Sequence, residues 1–268
     1  YMYGAYKRIQ NRTDGALTGK GVAYGGSHVR IEATGYGAVY FIQQMLARAD
    51  KEIRGMRAVI SGSGNVATHV ALKLLEESAI PLTLSDRQGY IYAQDGLSKE
   101  VILAVQEAKE QQCALSSLVL PSGCVYQEGV PWTAVAADMY IPSATQNEIS
   151  LKDAEAIVRH GALLVAEASN MPTSLEGVAL FQKAGVLFGP AKAVNAGGVA
   201  VSGLEMAQNA GRIAWSATDV DSKLRAIMEK IHTTCVEYGE DQGGVDYVKG
   251  ANIGGFVRVF LAMKQLGW

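Results

Sequence analysis

The stretch Arg57-Ala58-Val59-Ile60-Ser61-Gly62-Ser63-Gly64-Asn65-Val66-Ala67 decides how the rest of the chain is read. Ala58 to Ile60 is a short β-rich run that leads into Gly62-x-Gly64-x-x-Ala67. Beyond it, Val66, Val70 and Leu74 recur at i, i+4 and i+8 with Ala67 and Ala71 beside them, the apolar stripe of an amphipathic helix. The order is strand, glycine turn, helix. Gly62 allows a tight turn, Gly64 lets backbone approach a ligand with no Cβ in the way, and Ala67 keeps helix against strand. A helix beginning near Asn65 presents free N–H groups and its positive dipole end to a phosphate. Such an order suits a dinucleotide, with Gly62, Ser63, Gly64, Asn65 and Val66 as the pyrophosphate candidates.

A second β-like run, Pro81 to Ser85, ends in Asp86, about 20 residues beyond the glycines, where a ribose-binding acid is expected. Asp86 by itself favours a free 2′-hydroxyl and hence NAD. Arg87 after it, with Ser85 before it, offers a charge-assisted fork to a 2′-phosphate and hence favours NADP. Read from spacing alone, the same residues also fit an ordinary βαβ crossover with a glycine turn and a solvated Asp.

Composition sets the frame. The 268 residues suffice for one large domain or two small ones, and 49% hydrophobic with 19% charged residues is ordinary for a globular protein. A net charge of -2 gives no nucleic-acid stripe or polybasic membrane patch. No apolar run approaches the ~20 residues of a membrane span, and no signal peptide opens the chain. The 3 cysteines, Cys113, Cys124 and Cys235, lack metal spacing and fit a reduced, cytoplasmic compartment.

Along the chain, residues 1–20 read as the end of a preceding unit. Tyr1 to Lys7 has mid-helix character, its three Tyr and a Met call for a partner surface, and Arg12-Thr13-Asp14-Gly15 reads as a turn. A glycine-bracketed loop, 25–37, carries Arg30, suited to holding a carboxylate in bidentate fashion. It leads into a helix from about Thr34, which suits an N-cap. Ser98 caps a helix carrying Val101, Ile102 and Val105. Strand candidates follow at Thr133 to Ala137, Ala162 to Ala166 and Val186 to Phe188. Each ends in a loop rich in Asn, Ser, Thr and Gly, as expected where an open α/β sheet binds ligands outside the carboxyl ends of its strands. The remainder reads as helices over Ser222 to Val236 and Gly254 to Leu266, with a mobile loop from Tyr238 to Gly250 between them. The expected architecture is α/β: a Rossmann-like doubly wound sheet over residues 21–200 with helices on both faces, then a C-terminal helical segment, 201–268.

Four local sequences go beyond a generic fold of this type: Arg30 to Gly37, Ser61 to Ala67, Pro142-Ser143-Ala144-Thr145-Gln146-Asn147-Glu148, and Asn195-Ala196-Gly197-Gly198-Val199-Ala200-Val201-Ser202. Together, in this order, they resemble the cofactor-binding half of a hexameric NADP-type glutamate dehydrogenase, over essentially the whole chain. The resemblance implies NADP as cofactor, with NAD possible. It also implies reversible oxidative deamination of L-glutamate to 2-oxoglutarate and ammonia, and homo-hexameric assembly. It places the pyrophosphate on Gly62 to Val66 and the nicotinamide end at Thr34 and Asn195. Ala144, Thr145, Gln146 and Asn170 line the groove, and Arg30, Val199 and Ser202 reach the glutamate backbone end. Ser143 stands where the family often has Cys, and Ala168-Ser169 where Gly-Ala is usual. The family's catalytic lysine and aspartate belong to a substrate domain upstream of a segment like Tyr1 to Arg12, and Lys7, Lys20 and Lys51 lie outside those contexts. The expectation is therefore a chain that binds cofactor without turning over glutamate by itself. Two rivals are a dehydrogenase of Leu, Phe or Val and a non-catalytic dinucleotide-binding or oligomerisation module.

Overall fold

The computed structural model describes residues 1–12 and 15–268; the turn expected at Arg12 to Gly15 includes Thr13 and Asp14 and lies outside the described residues. Among the described residues the strands are β1 Arg57–Ile60, β2 Ile80–Pro81, β3 Thr83–Ser85, β4 Gly89–Ala93, β5 Cys124–Glu128, β6 Met139–Ile141, β7 Leu164–Ala166, β8 Leu187–Gly189, β9 Glu240–Asp241 and β10 Gly244–Val245. The α-helices are α1 Met2–Gln10, α2 Ala33–Arg48, α3 Asn65–Glu76, α4 Lys99–Glu110, α5 Leu151–Arg159, α6 Leu175–Lys183, α7 Ala191–Val194, α8 Gly197–Gly211, α9 Ala217–Gly239 and α10 Tyr247–Leu266.

The main sheet has five strands in the order β2-β1-β6-β7-β8, all neighbours parallel. Its residues alternate between two cores. Ala58, Ile60, Met139, Ile141, Leu164 and Ala166 face the core shared with α2, α3, α4, α8 and α9. Val59, Tyr140, Val165 and Phe188 face the one shared with α5 and α6. Strand period 2 puts successive side chains on opposite faces, so a sheet covered on both sides needs apolar residues throughout its strands. The expected doubly wound α/β fold is thus present.

Beyond β2 the chain departs from a purely parallel sheet. Leu82 separates β2 from β3, and β3, β4 and β5 form an antiparallel three-stranded sheet. Thr83 seams the two sheets: its hydroxyl accepts from Ile60 N–H at 3.0 Å and donates to Ile60 O at 2.9 Å.

Several local expectations need correction. The run Thr133 to Ala137 is not a strand: Pro131–Thr133 forms a 3-10 turn, and the strand is Met139–Ile141. Asp138 marks its entry, accepting from Arg57 N–H at 2.8 Å. Thr34 is not an N-cap; α2 starts one residue earlier, with Glu32 in the cap position. Nor is Tyr238 to Gly250 a loop. Helix α9 continues to Gly239, β9 and β10 form a small hairpin, and Asp246 caps α10 by accepting from Val248 and Lys249 N–H.

Candidate functional site

The strand order reverses at β1, which has β2 on one side and β6 on the other. Loops leaving such a switch point diverge and open a crevice at the carboxyl edge of the sheet. The loop after β1 is the glycine turn. Gly62 has φ 89, a left-handed conformation that disfavours any side chain, and an added Cβ would lie 3.1 Å from Ser143 O. Its N–H donates to Ser85 Oγ at 2.8 Å, and Ser85 N–H donates back to Gly62 O at 3.0 Å. Ser61 Oγ accepts from Ser143 N–H at 2.9 Å, so the turn is tied to the ends of both β3 and β6.

Gly64 is the N-cap of α3, with no side chain to cap the helix, and nothing lies within 4 Å of where its Cβ would stand. Helix ends leave their first N–H groups without intrahelical partners, so this uncapped N-terminus offers donors and a positive dipole end.

Beside it lies a cavity of about 830 Å³, within the usual range for small-molecule sites. The structure brings together in its walls Arg30, Thr34, Val66, Ala144, Thr145, Gln146, Asn170, Asn195, Val199 and Ser202, with Ser143, Ala168, Ser169 and Gly198 among them. Gly62, Ser63, Gly64 and Asn65 lead into the wall through Val66. Asp86 and Arg87 are not in it. They follow Ser85 on the other side of the glycine turn, and Arg87 is exposed.

Asp86 has work of its own there. Its Oδ1 accepts from Gln88 and Gly89 N–H at 2.9 and 3.0 Å, and its Oδ2 accepts from Leu115 N–H at 3.0 Å. Burial, the largest effect on this carboxyl, raises its pKa, but the three donors and Lys109 outweigh it and the net shift is downward.

Arg30 stands out among the lining residues. Its Nε is buried with no hydrogen-bond partner, and no ion pair joins it to a carboxylate among the described residues. The preceding Val29 has φ 61. A β-branched residue in that region stores of order 1–3 kcal/mol of strain, which tends to collect where a side chain must be aimed. A cationic fork with an orphaned donor, facing a cavity, fits an anionic ligand group. Also in the wall, Asn195 Nδ2 donates to Asn170 Oδ1 at 2.8 Å.

Residues 15–25 strap across α8. Thr18 Oγ1 donates to Ser202 Oγ at 3.2 Å, Asn209 Nδ2 donates to Gly25 O at 2.7 Å, and Lys20 Nζ lies 2.7 Å from Glu205 Oε1. Sequence reasoning missed this pair. Neither Lys20 nor Glu205 sits in a recognisable motif, and their sequence separation of 185 hides the contact. It also gave no role to Glu148, whose Oε1 accepts from Ala144 N–H at 3.1 Å and Thr145 N–H at 3.3 Å. The signal was present, since Glu148 closes the Pro142 to Glu148 loop.

The fold and site together define a doubly wound α/β domain with an anion-ready, glycine-turned cleft at its switch point. The sequence profile of the Glutamate/Leucine/Phenylalanine/Valine dehydrogenase family matches residues 25–267. The chain belongs to that family. It is 46% identical over 269 residues to the NADP-specific glutamate dehydrogenase of Escherichia coli (strain K12), covering 100% of this chain and 60% of that one. Identity to the NAD(P)-specific glutamate dehydrogenase of Xylanibacter ruminicola is 44% over 270 residues, 100% of this chain and 61% of the relative. The crystal structure of Plasmodium falciparum glutamate dehydrogenase superposes with a TM-score of 0.95 at 39% identity, covering 100% of this chain and 58% of that one. This chain therefore spans about 60% of the length of these relatives.

Proposed function

We propose that this chain is the nicotinamide-dinucleotide-binding part of a glutamate dehydrogenase. The observation that carries the proposal is the uncapped N-terminus of α3, opening through the left-handed Gly62 onto a cavity that also holds the unpaired Arg30. Gly62, Ser63, Gly64, Asn65 and Val66 hold the pyrophosphate. Thr34 and Asn195 take the nicotinamide end, with Ala144, Thr145, Gln146 and Asn170 along the groove. Arg30, Val199 and Ser202 receive the carboxylate end of the amino acid. The bound nicotinamide supplies the hydride acceptor for the substrate's Cα. The relatives described above are named as acting on glutamate, which favours that substrate over Leu, Phe or Val. Homo-hexameric assembly belongs to the same reading, and the exposed Phe256, Val259, Phe260 and Leu266 of α10 are consistent with a covered surface. So does a cytoplasmic location, with which the free thiols Cys113, Cys124 and Cys235 agree.

Gly64→Val tests the site directly. The backbone there is extended at φ -87, ψ -176 and the Cβ position is open, so the fold tolerates the change apart from a weaker cap. Calorimetric titration with NADP is expected to show binding by the wild type and a loss of about tenfold or more in the variant, equivalent to ~1.4 kcal/mol. Equal affinities would remove Gly64 from the site.

NADP is the proposed cofactor, with NAD accepted more weakly. Asp86 is already engaged by three backbone donors, which leaves the exposed Arg87 as the discriminating group for a 2′-phosphate. A hydrogen bond to a charged group contributes about 1.5–3 kcal/mol, so Arg87→Ala is expected to lower the NADP-to-NAD affinity ratio by roughly tenfold or more. An unchanged ratio in titrations with both cofactors would make Arg87 a solvated turn residue.

A further inference from the structure

The cleft wall includes the loops after β6 and β7, and one side chain outside the cavity joins these two. Glu148 Oε1 accepts from Ala144 N–H at 3.1 Å and Thr145 N–H at 3.3 Å within the loop after β6, and from Ser169 Oγ at 3.4 Å in the loop after β7. Ala144, Thr145 and Ser169 all line the cavity, whereas Glu148 does not. The loop after β6 is tied in turn to the glycine turn through Ser143 and Ser61. Without Glu148, the N–H groups of Ala144 and Thr145 have no other partner among the described residues to fix the loop's path. Both residues are otherwise exposed. A loop freed of that acceptor would sample many conformations, and a ligand would have to order it on binding, which lowers affinity without removing any direct contact.

We propose that Glu148 is a positioning residue for the cofactor cleft: its carboxylate oxygen holds Ala144, Thr145 and Ser169 in the geometry that receives the dinucleotide. This rests on the reading of the cleft as a nicotinamide-dinucleotide site. Its contribution is made through the two loops and not through contact with the ligand. The strong acceptor matters more than the charge as such, because three neutral donors converge on one oxygen.

The test compares three substitutions in the full 268-residue chain, titrated with NADP and followed by amide hydrogen exchange. Glu148→Gln keeps an oxygen in place of Oε1 and is expected to bind within about threefold of wild type. Glu148→Asp keeps the charge but withdraws it by one methylene, and Glu148→Ala removes it. Both are expected to weaken NADP binding by about tenfold, because the three hydrogen bonds that order the two loops are lost together. In both, the N–H groups of Ala144 and Thr145 are expected to exchange faster, while exchange in the β1 strand stays unchanged. Wild-type affinity in Glu148→Asp, or failure of Glu148→Gln to retain affinity, overturns the proposal. If Glu148→Ala does not fold, the Asp and Gln variants decide the matter by the same criteria. A wild-type chain that binds no NADP would instead sink the underlying reading of the cleft, so the two failures are distinguishable.

Discussion

Lys20→Met is expected to destabilise this protein by about 3–5 kcal/mol, the usual consequence of leaving one charge of a buried pair uncompensated. The side chain of Glu205 is fully buried and that of Lys20 is 6% exposed, so both charges are largely withdrawn from water. Glu205 also accepts from Gly19 N–H at 2.8 Å, and Lys20 Nζ donates to Leu17 O at 2.6 Å and sits 5.1 Å from the Tyr3 ring centroid. The pair is therefore the pin that holds the strap, and α1 behind it, against α8. A domain's net stability is only ~5–15 kcal/mol, so this single change consumes a large share of it. Urea denaturation at pH 7 measures the loss, and a loss below about 1 kcal/mol would show that the pair is screened as surface pairs are. The double variant Lys20→Met/Glu205→Met is expected to recover only part, because the Gly19 N–H loses its acceptor.

The acid limb of the stability profile should flatten in the same variant. In the wild type, burial is the largest effect on Glu205 and raises its pKa. Lys20 and the N–H groups of Gly19 and Lys20 more than offset it, and the net shift is downward. A depressed folded pKa means stability that is present above the unfolded value of about 4.3 and is lost as pH falls through the folded value. With the Lys20 ammonium gone, its hydrogen bond and charge no longer lower the Glu205 pKa, while burial still raises it, so the folded pKa moves up. Less stability is then lost as pH falls.

The glycine turn was legible because everything that defines it is local: an apolar triplet, two glycines at fixed spacing and a helical stripe. The same holds for the caps at Ser98 and for the polar loops after β6, β7 and β8. What failed was set by contacts distant in sequence. The run from Thr133 to Ala137 has strand-like composition, yet Pro131 starts a 3-10 turn, and the strand begins where Met139 pairs with Ala58. Tyr90 to Tyr92 form a strand with partners, Thr83 to Ser85 and Val125 to Gln127, that come from two other segments, so no local pattern shows the small sheet.

Glycine was also misread at the C-terminal end. Gly250 suggested a mobile loop, but a Cβ there would meet Cys235 O at 1.9 Å. It lets α10 lie against α9, a packing role that no local pattern distinguishes from flexibility. Arg30 shows the limit at the site itself. Its residue type and its glycine-rich setting suggested carboxylate binding, while the strain at Val29 and the orphaned Nε are visible only in three dimensions.

The largest effect expected concerns catalysis: the 268-residue chain should bind NADP and yet form no measurable NADPH from glutamate. Hydride removal from Cα requires the substrate amine to shed a proton, and the resulting iminium must be attacked by an activated water. A positioned acid or base typically contributes 10²–10⁴-fold to such steps, and orientation of the substrate contributes more. Among the described residues lining the cavity, Arg30 is the one ionisable side chain, and a guanidinium stays protonated. Ser202 and Thr34 are hydroxyls with no adjacent histidine or lysine in that wall to activate them. Lys20 is committed to Glu205, and the Glu148 carboxylate to Ala144 and Thr145. On the proposed reading the cleft receives a carboxylate and a dinucleotide, and no group among the described residues of its wall is free to move the proton. The assay is NADPH formation at high protein concentration, with longer relatives excluded from the preparation by mass spectrometry. A rate within about tenfold of a complete family member would mean that a residue of this chain supplies the acid–base step, since its absence should lower the rate by at least 10²-fold.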